Sequence, residues 1–317
     1  MPSSVTVTVP ATTANIGPGF DCLGAALNLY NRFHFTPFTP LSDSKPFHIS
    51  IEGAEAKRVN AGASNLVYRS FLQCYERMGL AAPPVDINIK LGVPLSRGLG
   101  SSSTAIVGGI MGANVLAGSP LDERAIALLA NEIEGHPDNV IPALFGGLRL
   151  ATMAQGQLQI CDLPWHGSVA PVVIIPEFEL STVDARRVLP DQYSRADAVF
   201  NTAHIGLLLR GLATGNGDWI AGGMGDRIHQ PYRKKLIPGY EEVRRAAMQA
   251  GAWGLVISGA GPTLLALAPK SVGDRVRIAM ESAWKSQPFA ANAHCLSLDV
   301  RGAIAEPLPG STLESVS

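Results

Sequence analysis

Cysteine is scarce in this sequence, and neither sign of charge dominates. The four cysteines lie far apart and no two of them form a CxxC pair, so neither a zinc ribbon nor a disulfide framework is indicated. With 25 basic and 26 acidic side chains the formal charge is −1, which leaves no global positive field to hold a nucleic acid or an anionic membrane. Any phosphate group must therefore be bound locally, and we expect a protein of the reducing cytosol.

Long apolar runs and an export signal are also lacking. The nearest candidate for a membrane span is Leu99–Leu121, whose serines and glycines favour a packed helix of a soluble protein. The chain opens on the alternating strand pattern Val5–Val9, without the basic start and apolar core of a signal peptide. We therefore expect a cytoplasmic protein. A length of 317 residues with 46% hydrophobic side chains predicts a globular protein of roughly two domains.

The most informative segment is Val93–Ala105, a loop rich in glycine and serine that runs directly into a helix. Glycines let the backbone approach a ligand closely, and the unpaired N–H groups of a first helical turn attract phosphate. An ordinary serine-capped helix would show the same pattern. Two other nucleotide loops are excluded, because the lysine of GxxxxGK[ST] is missing and Ser103 stands where GxGxxG needs glycine.

The next predicted helix, Leu121–Glu134, carries a carboxylate on its apolar side. Counting about 100° per residue from Leu121 gives one apolar face, formed by Ala125, Leu128, Leu129 and Ile133. Glu132 falls inside that face, whereas Glu134 points away. Because a core-facing carboxylate is costly unless it is paired or bound to a cation, Glu132 is a candidate metal ligand; a buried ion pair with an arginine is the alternative.

Polar residues are dense in Glu134–Pro142, which we predict to be a loop and a candidate site. Asp138 and Asn139 could orient or deprotonate a substrate hydroxyl, and His136 could bind the substrate or act as a base. Ordinary turn chemistry also explains Pro-Asp-Asn.

Two further glycine-containing segments are candidate ligand sites. Ala11–Asp21 follows the first strand and could grip a small polar ligand through Asn15 and Asp21. Ser258–Thr263 lies between two apolar strands and could press its backbone against a ligand or against the first glycine loop. A tight hairpin would explain the second segment equally well.

Together and in this order, these segments resemble the GHMP kinase superfamily. The resemblance is carried by PATTANIGPGFD at Pro10–Asp21, PLSRGLGSSSTA at Pro94–Ala105 and SGAGPTLLAL at Ser258–Leu267. Within the superfamily the homoserine kinase family is the most similar, on Glu134–Val140, Ala185–Pro190 and His229–Arg233. The resemblance implies an α+β fold of two domains: an ATP-binding domain like domain 2 of ribosomal protein S5 over residues 1–160, and a ferredoxin-like domain on the substrate side over residues 161–317.

The resemblance also implies which residues bind each ligand. ATP would contact Asn65, Pro94, Arg97, Gly98, Leu99, Gly100, Ser101, Ser102, Ser103 and Thr104, with Asn65 near the adenine. Mg²⁺ would be held by Ser102 and Glu132, with Ser101 as the alternative serine. The substrate would contact Asn15, Asp21, His136, Asp138, Arg186, Arg233 and Gly259. Asp21 would take its ammonium, Arg186 and Arg233 its carboxylate, and the candidate catalytic residues Asp138, Asn139 and His136 its hydroxyl. Arg187 is expected to be a surface charge.

The activity implied is phosphorylation of L-homoserine by ATP to O-phospho-L-homoserine, a step of threonine biosynthesis, by an enzyme that forms a homodimer and binds neither nucleic acid nor membrane. The alternatives are another small-alcohol kinase of the mevalonate or threonine type, or a nucleotide or ligand sensor without catalysis. Mevalonate has no ammonium to pair with Asp21. None of the seven lysines lies in the N-terminal motif, so we expect the hydroxyl proton to leave to the γ-phosphate or to solvent rather than to a strong base.

Overall fold

The computed structural model describes residues 2–39 and 45–308. In these ranges the chain forms two β-sheets with helices packed against them. The strands are β1 (Ser4–Asn15), β2 (Gly19–Pro37), β3 (Phe47–Glu52), β4 (Val85–Lys90), β5 (Leu148–Ala154), β6 (Gln157–Leu163), β7 (Val169–Pro176), β8 (Gly254–Ile257), β9 (Leu264–Pro269), β10 (Ala291–Cys295) and β11 (Ile304–Leu308). The helices are α1 (Leu66–Met78), α2 (Ser101–Leu116), α3 (Glu123–Glu134), α4 (Pro137–Phe145), α5 (Thr182–Arg187), α6 (Arg195–Thr214), α7 (Gly217–Gly223), α8 (Gln230–Arg233), α9 (Tyr240–Gln249) and α10 (Gly273–Trp284).

The first sheet has the strand order β11-β1-β2-β4-β3, and β5 with β6 extends it from β2. Neighbouring strands are antiparallel except β3 and β4, which run parallel. Since alternate residues of a strand share a face, Val5, Val7 and Val9 of β1 point into one core and are fully buried. Helices α1 to α4 contribute to the same core, so this domain is a sheet covered by a layer of helices.

The second sheet has the order β10-β7-β9-β8, with all neighbours antiparallel. Every residue of the central strand β7 is buried, because its two faces belong to different cores. One face packs with α9 and α10. The other face joins β1, β2 and α6 in an apolar core that both sheets share, exemplified by Leu23, Val173 and Leu265. The two domains are therefore packed against each other rather than joined by a linker alone.

The change from one sheet to the other occurs between Leu163 and Val169. The predicted boundary at residue 160 falls inside β6, which pairs with β5 along its whole length. The chain also returns to the first sheet near its end, where β11 pairs with β1. A division into residues 1–160 and 161–317 did not include this return.

The fold corrects one further expectation and agrees with another. The polar segment predicted as a loop is largely helical, since α4 begins at Pro137 with His136 as its N-cap; proline is well tolerated there because a first-turn N–H has no intrahelical partner. The apolar run that came closest to a membrane span forms α2, buried between the sheet and its neighbouring helices. None of the helices in the described ranges is long and apolar enough to cross a bilayer.

Candidate active site

A cleft opens where the two sheets meet, and it brings the three glycine-containing motifs together. Its walls are formed by Asn15, Asp21, Ser96, Arg97, Gly98, Gly100, Ser101, Ser102, Glu134, His136, Asp138, Asn139, Leu180, Thr182, Arg186, Arg233, Gly259 and Ala260. All the residues predicted to contact substrate lie in this one cleft. Of the predicted ATP-site residues, Arg97, Gly98, Gly100, Ser101 and Ser102 line it.

One wall of the cleft is the turn that leads into α2. Gly98 and Gly100 adopt positive φ angles of 74° and 66°, and Gly100 is the N-cap of the helix. A side chain at Gly98 would overlap the backbone oxygen of Ser258, so only glycine fits there. Below the turn, Ser258 Oγ donates to the Gly98 carbonyl over 2.6 Å. The late glycine segment thus supports the first one from behind.

The first turn of α2 presents unpaired donors to the cleft. The earliest intrahelical bond runs from the Thr104 N–H to the Gly100 carbonyl, so the amides of Ser101–Ser103 precede it and have no intrahelical acceptor. With the positive end of the helix dipole added, this is a site for phosphate oxygens.

The carboxylate that lies beside this turn belongs to Glu134. Ser102 Oγ and Ser103 Oγ each donate to Glu134 Oε1 over 2.9 Å, and Glu134 lines the cleft with Ser102. Carboxylate and hydroxyl oxygens are the ligands that Mg²⁺ takes in proteins. The donor set at Glu134 and Ser102 therefore fits a magnesium ion bound next to phosphate oxygens.

The prediction that Glu132 lies on the buried face of its helix and beside this turn is wrong. Its side chain is 45% exposed and pairs with Arg77 of α1. The buried residues of α3 are centred on Ile126 and Ala130; at about 100° per residue Glu134 falls on that side and Glu132 on the opposite one. The face counted from Leu121 included the partly buried Leu128 and Ile133, so its centre was displaced from the fully buried side of the helix.

Arg97 lines the cleft, but its guanidinium is directed away from it. Nη1 donates to Glu55 Oε1 over 2.7 Å and Nε donates to the Pro176 carbonyl over 2.7 Å. Glu55 also accepts the N–H of Leu95 over 2.7 Å. Burial alone would raise the pKa of Glu55, but the bonds from Leu95 and Arg97 outweigh it and hold this pKa below its usual value. Arg97, predicted to bind ATP, instead pairs its charge with Glu55 and ties the loop to β7 through the Pro176 carbonyl.

Other predicted ATP-site side chains also point elsewhere. Leu99 is fully buried in the core shared by the sheets. The buried hydroxyl of Thr104 donates to the Ser101 carbonyl over 2.8 Å and accepts from Asn31 Nδ2 over 2.8 Å. Pro94 lines a separate groove behind the loop. These side chains support the loop and do not enter the cleft.

Asn65 lies in a second cavity, on the far side of the serine turn. The two cavities share Ser96, Ser101 and Ser102, and the second is otherwise lined by apolar and polar side chains such as Leu66 and Val67. Asn65 is the N-cap of α1, where its Oδ1 accepts the Val67 N–H over 2.9 Å. An elongated ligand could therefore lie in both cavities and cross the serine turn.

An ion pair occupies the opposite wall of the cleft. Arg186 donates from Nη1 and Nη2 to the two oxygens of Asp21, over 2.9 and 2.7 Å. This bidentate hydrogen bond raises the pKa of Arg186, and burial offsets part of that rise. Arg187, in contrast, is 74% exposed and pairs with Asp184 outside the cleft. Arg186 is thus the arginine of the pair that faces the site.

Non-glycine residues with left-handed backbone conformations line both walls of the cleft. Asn15, Asp21 and Ser96 are non-glycine residues with positive φ angles of 68°, 55° and 53°, and all three line the cleft. Asn15 holds the conformation: its Oδ1 accepts the Asp21 N–H over 2.9 Å and its Nδ2 donates to the Gly259 carbonyl over 2.8 Å. Such strain persists only where the surroundings enforce it, and it marks functional sites.

A chain of hydrogen bonds joins the polar groups at the start of α4. His136 Nδ1 lies 2.7 Å from Asp138 Oδ1, and Thr12 Oγ1 donates to Asn139 Oδ1 over 2.7 Å. Burial lowers the pKa of His136, but the hydrogen bond and the negative charge of Asp138, with Glu134 and weaker groups, raise it above its ordinary value. Asp138 and Asn139 are buried and thereby fixed in orientation.

A second group of possible metal ligands is present in the cleft. Ligand atoms of Asp21, His136 and Asp138 lie within 4.8 Å of one another. Because Asp21 is paired with Arg186 and Asp138 with His136, a cation there would have to displace both partners. Glu134, beside neutral serines, is the better donor for a metal ion.

Sequence reasoning missed several residues that build this site. Thr12 and Glu55 act on the loops through hydrogen bonds to distant parts of the chain, which no local pattern reveals. Phe20 packs against the cleft arginines; a large aromatic residue set between Gly19 and Asp21 was the signal that could have found it.

Comparison with known proteins identifies relatives of this chain. Residues 65–147 match the model of the GHMP kinases N terminal domain, and residues 208–286 match that of the GHMP kinases C terminal domain. A homoserine kinase of Microchaete diplosiphon is 58% identical over 95% of this chain and 97% of its own length, and one of Trichormus variabilis is 57% identical over 95% and 98%. A crystal structure of homoserine kinase from Cytophaga hutchinsonii superposes with a TM-score of 0.86, at 31% identity, covering 96% of this chain and 98% of that one.

The matches to these relatives extend over both domains. The two-domain α+β fold expected from the sequence is confirmed. The chain is a GHMP kinase and belongs to the homoserine kinase family.

Proposed function

We propose that this chain transfers the γ-phosphate of ATP to the side-chain hydroxyl of L-homoserine, giving O-phospho-L-homoserine and ADP. The observation that carries the proposal is the single cleft with a phosphate-binding helix terminus on one wall and paired charges, Asp21 with Arg186, on the other. A kinase of this family takes ATP as its phosphate donor. What has to be argued from the site is how each ligand is held.

The phosphates of ATP bind at the first turn of α2. The amides of Ser101–Ser103 point toward them, and the positive φ angles of Gly98 and Gly100 bring the backbone close. The base and ribose extend into the second cavity beside Asn65, across the shared Ser96 and Ser102.

Glu134 and Ser102 are the residues that would hold Mg²⁺ in this proposal. When bound, the ion neutralises charge on the transferring phosphoryl group. Glu134 replaces Glu132 in this role because it is the carboxylate that contacts the serine turn.

The amino-acid end of homoserine binds at the opposite wall. Its ammonium pairs with Asp21 and its carboxylate with Arg186 and Arg233. Because Asp21 and Arg186 already satisfy each other, a ligand with one charge would leave one of them unpaired, whereas a zwitterion satisfies both. The wall therefore selects α-amino acids over alcohols with a single charge.

The reacting hydroxyl lies between the two walls, near Asn139 and His136. Its oxygen forms the new bond to the γ-phosphorus as the bond from phosphorus to the β-phosphate oxygen breaks, and its proton leaves to a phosphate oxygen or to solvent. Asp138 is bound to His136 and Asn139 to Thr12, so these groups orient rather than act as strong bases. Phosphoryl transfer depends mainly on positioning and charge neutralisation, which this arrangement supplies.

The test is direct. Purified protein with ATP and Mg²⁺ is offered L-homoserine, L-threonine and mevalonate, with ADP release measured and the product identified by ³¹P NMR. We expect kcat/KM for homoserine to exceed that for mevalonate by roughly 10- to 100-fold, since a partly exposed charge left without its partner costs about 1.5–3 kcal/mol. L-Threonine carries both charges, so it tests the position of the hydroxyl alone. Equal or better turnover of mevalonate would refute the assignment.

A further inference from the structure

Behind the arginines of the cleft lies an aromatic stack that the proposed reaction does not use. The rings of Phe20 and His229 are stacked, with centroids 5.3 Å apart and planes inclined by 23°. The guanidinium carbons of Arg186 and Arg233 lie 5.5 and 5.0 Å from the Phe20 centroid. Both distances are within the range of about 6 Å in which a cation is attracted to an aromatic ring. One ring thus contacts both cations.

His229 supports this stack as a neutral imidazole. It is fully buried, and Nε2 lies 2.9 Å from the Gly17 carbonyl oxygen, which can only accept. Nε2 therefore carries the proton, and Nδ1 offers a lone pair to Arg233 Nη1 at 3.5 Å. Burial lowers the pKa of His229 and the charge of Arg233 adds to this, against the opposing effect of Asp226. The hydrogen bonds thus indicate the tautomer, and the direction of the pKa shift favours the neutral ring.

Arg233 is fixed by backbone oxygens while it lines the cleft. Nε donates to the Ala185 carbonyl over 3.0 Å, and Nη1 donates to the Gly259 carbonyl over 3.1 Å. Its side chain is almost wholly buried, and burial together with the charge of Arg186 lowers the pKa of Arg233 to about 10. Among residues 2–39 and 45–308 these contacts use Nε and Nη1, so Nη2 is the group left to face a ligand.

Two guanidinium groups that approach each other repel, and a ligand carboxylate reaches both only if their positions are held. The negative face of an aromatic ring offsets part of that repulsion. We propose that Phe20, stacked on His229, is a positioning residue that holds Arg186 and Arg233 in place for the carboxylate of an amino-acid substrate. This inference rests on the proposed function and deepens it.

The same turn of the chain then builds both halves of the amino-acid site. Gly17 fixes His229 through its carbonyl, Phe20 contacts the arginines, and Asp21 provides the negative charge. The distance between the ammonium site and the carboxylate site is therefore set within the five residues Gly17–Asp21. This short turn makes α-amino acids the matching substrate class.

The test compares Phe20→Leu with Phe20→Tyr, which keeps the ring. Two substrates are used: L-homoserine, and L-homoserinamide, which keeps the ammonium and hydroxyl but has no carboxylate. For Phe20→Leu we expect KM for homoserine to rise roughly 5- to 30-fold, with KM for ATP unchanged within about twofold, because desolvated cation–π contacts are lost. The ratio of kcat/KM for homoserine to that for homoserinamide should fall by a similar factor. Phe20→Tyr should stay near the original values.

A structural role alone would lower kcat/KM for both substrates by the same factor and leave their ratio unchanged. That result overturns the proposal. If Phe20→Leu is not recovered in folded form, Phe20→Met fills more of the space and is judged by the same ratio. An unmodified chain that is inactive on homoserine overturns the proposed function together with this inference. An active chain whose Phe20→Leu variant keeps its preference for homoserine overturns this inference alone.

Discussion

Two glutamates only two positions apart in α3 provide a matched test of the phosphate site. In Glu134→Gln the carboxylate that accepts hydrogen bonds from Ser102 and Ser103 at 2.9 Å each becomes a neutral amide. In Glu132→Gln the same chemical change is made on a side chain that is 45% exposed and pairs with Arg77. The two variants therefore separate a role at the serine turn from a general effect of charge removal.

The expected magnitudes differ widely. Loss of one preorganised group that stabilises transition-state charge typically lowers kcat about 100- to 1,000-fold, or roughly 3–4 kcal/mol. For Glu134→Gln we expect a loss of this size together with a higher Mg²⁺ requirement. An exposed ion pair contributes about 0–1 kcal/mol to folding stability, so Glu132→Gln should keep kcat within about twofold.

The assay is ADP release at saturating ATP and homoserine over a Mg²⁺ titration, with thermal unfolding of both variants as the check on folding. The reasoning is refuted if the two variants lose activity equally, or if Glu134→Gln keeps its rate and its Mg²⁺ dependence. In either case the serine turn would not be the metal site.

Three further outcomes are expected. Arg186→Ala should raise KM for homoserine about 10- to 100-fold, the value of a charge-assisted hydrogen bond, whereas steady-state kinetics of Arg187→Ala should match those of the unmodified chain; equal effects would contradict the assignment. Gly98→Ala should lower the free energy of unfolding in urea by about 2 kcal/mol or more, because φ is 74° and the new Cβ would overlap the Ser258 carbonyl; a change within about 0.5 kcal/mol would contradict this. The pKa of His136 is raised above 6.5, so its contribution to stability is complete below that pH and is lost as pH rises through the raised pKa. His136→Gln should therefore cost more stability near pH 5.5 than near pH 8.5, measured by urea unfolding at both, and a larger cost at the higher pH would reverse the sign.

The parts of this molecule that sequence reasoning predicted correctly are those with local signals. A glycine turn followed by a serine-rich helix start is readable within a dozen residues, and α2 begins at Ser101 as that pattern indicates. Convergence of distant motifs was inferred from family resemblance, and the cleft contains Asp21, His136 and Arg233 together. Family resemblance supplied what periodicity could not.

Helical phase was the weak point of the prediction. Leu128 and Ile133 of α3 are only partly buried yet still pack on the core, so the apolar stripe of this helix is wider than its fully buried face. Counting apolar residues cannot locate the centre of a wide stripe. That uncertainty placed Glu132 inside and Glu134 outside, the reverse of the structure.

Several contacts between distant residues had no signal in the sequence. Thr12 donates to Asn139, and Glu55 holds the Leu95 amide and the Arg97 guanidinium. Thr12 and Glu55 are unremarkable in their own stretches of sequence. Their roles come from hydrogen bonds that form only after the chain has folded, and no local sequence pattern indicates such bonds.

The pairing of β1 with β11 has a consequence for how the chain is made. Ser4 lies opposite Leu308 and Thr8 opposite Ile304. During synthesis β1 therefore emerges nearly three hundred residues before the strand with which it pairs. Until then one border of the first sheet stays open, with backbone groups free to pair elsewhere. The N-terminal half expressed alone would keep that border open, and co-expression of the two halves is the natural way to close it.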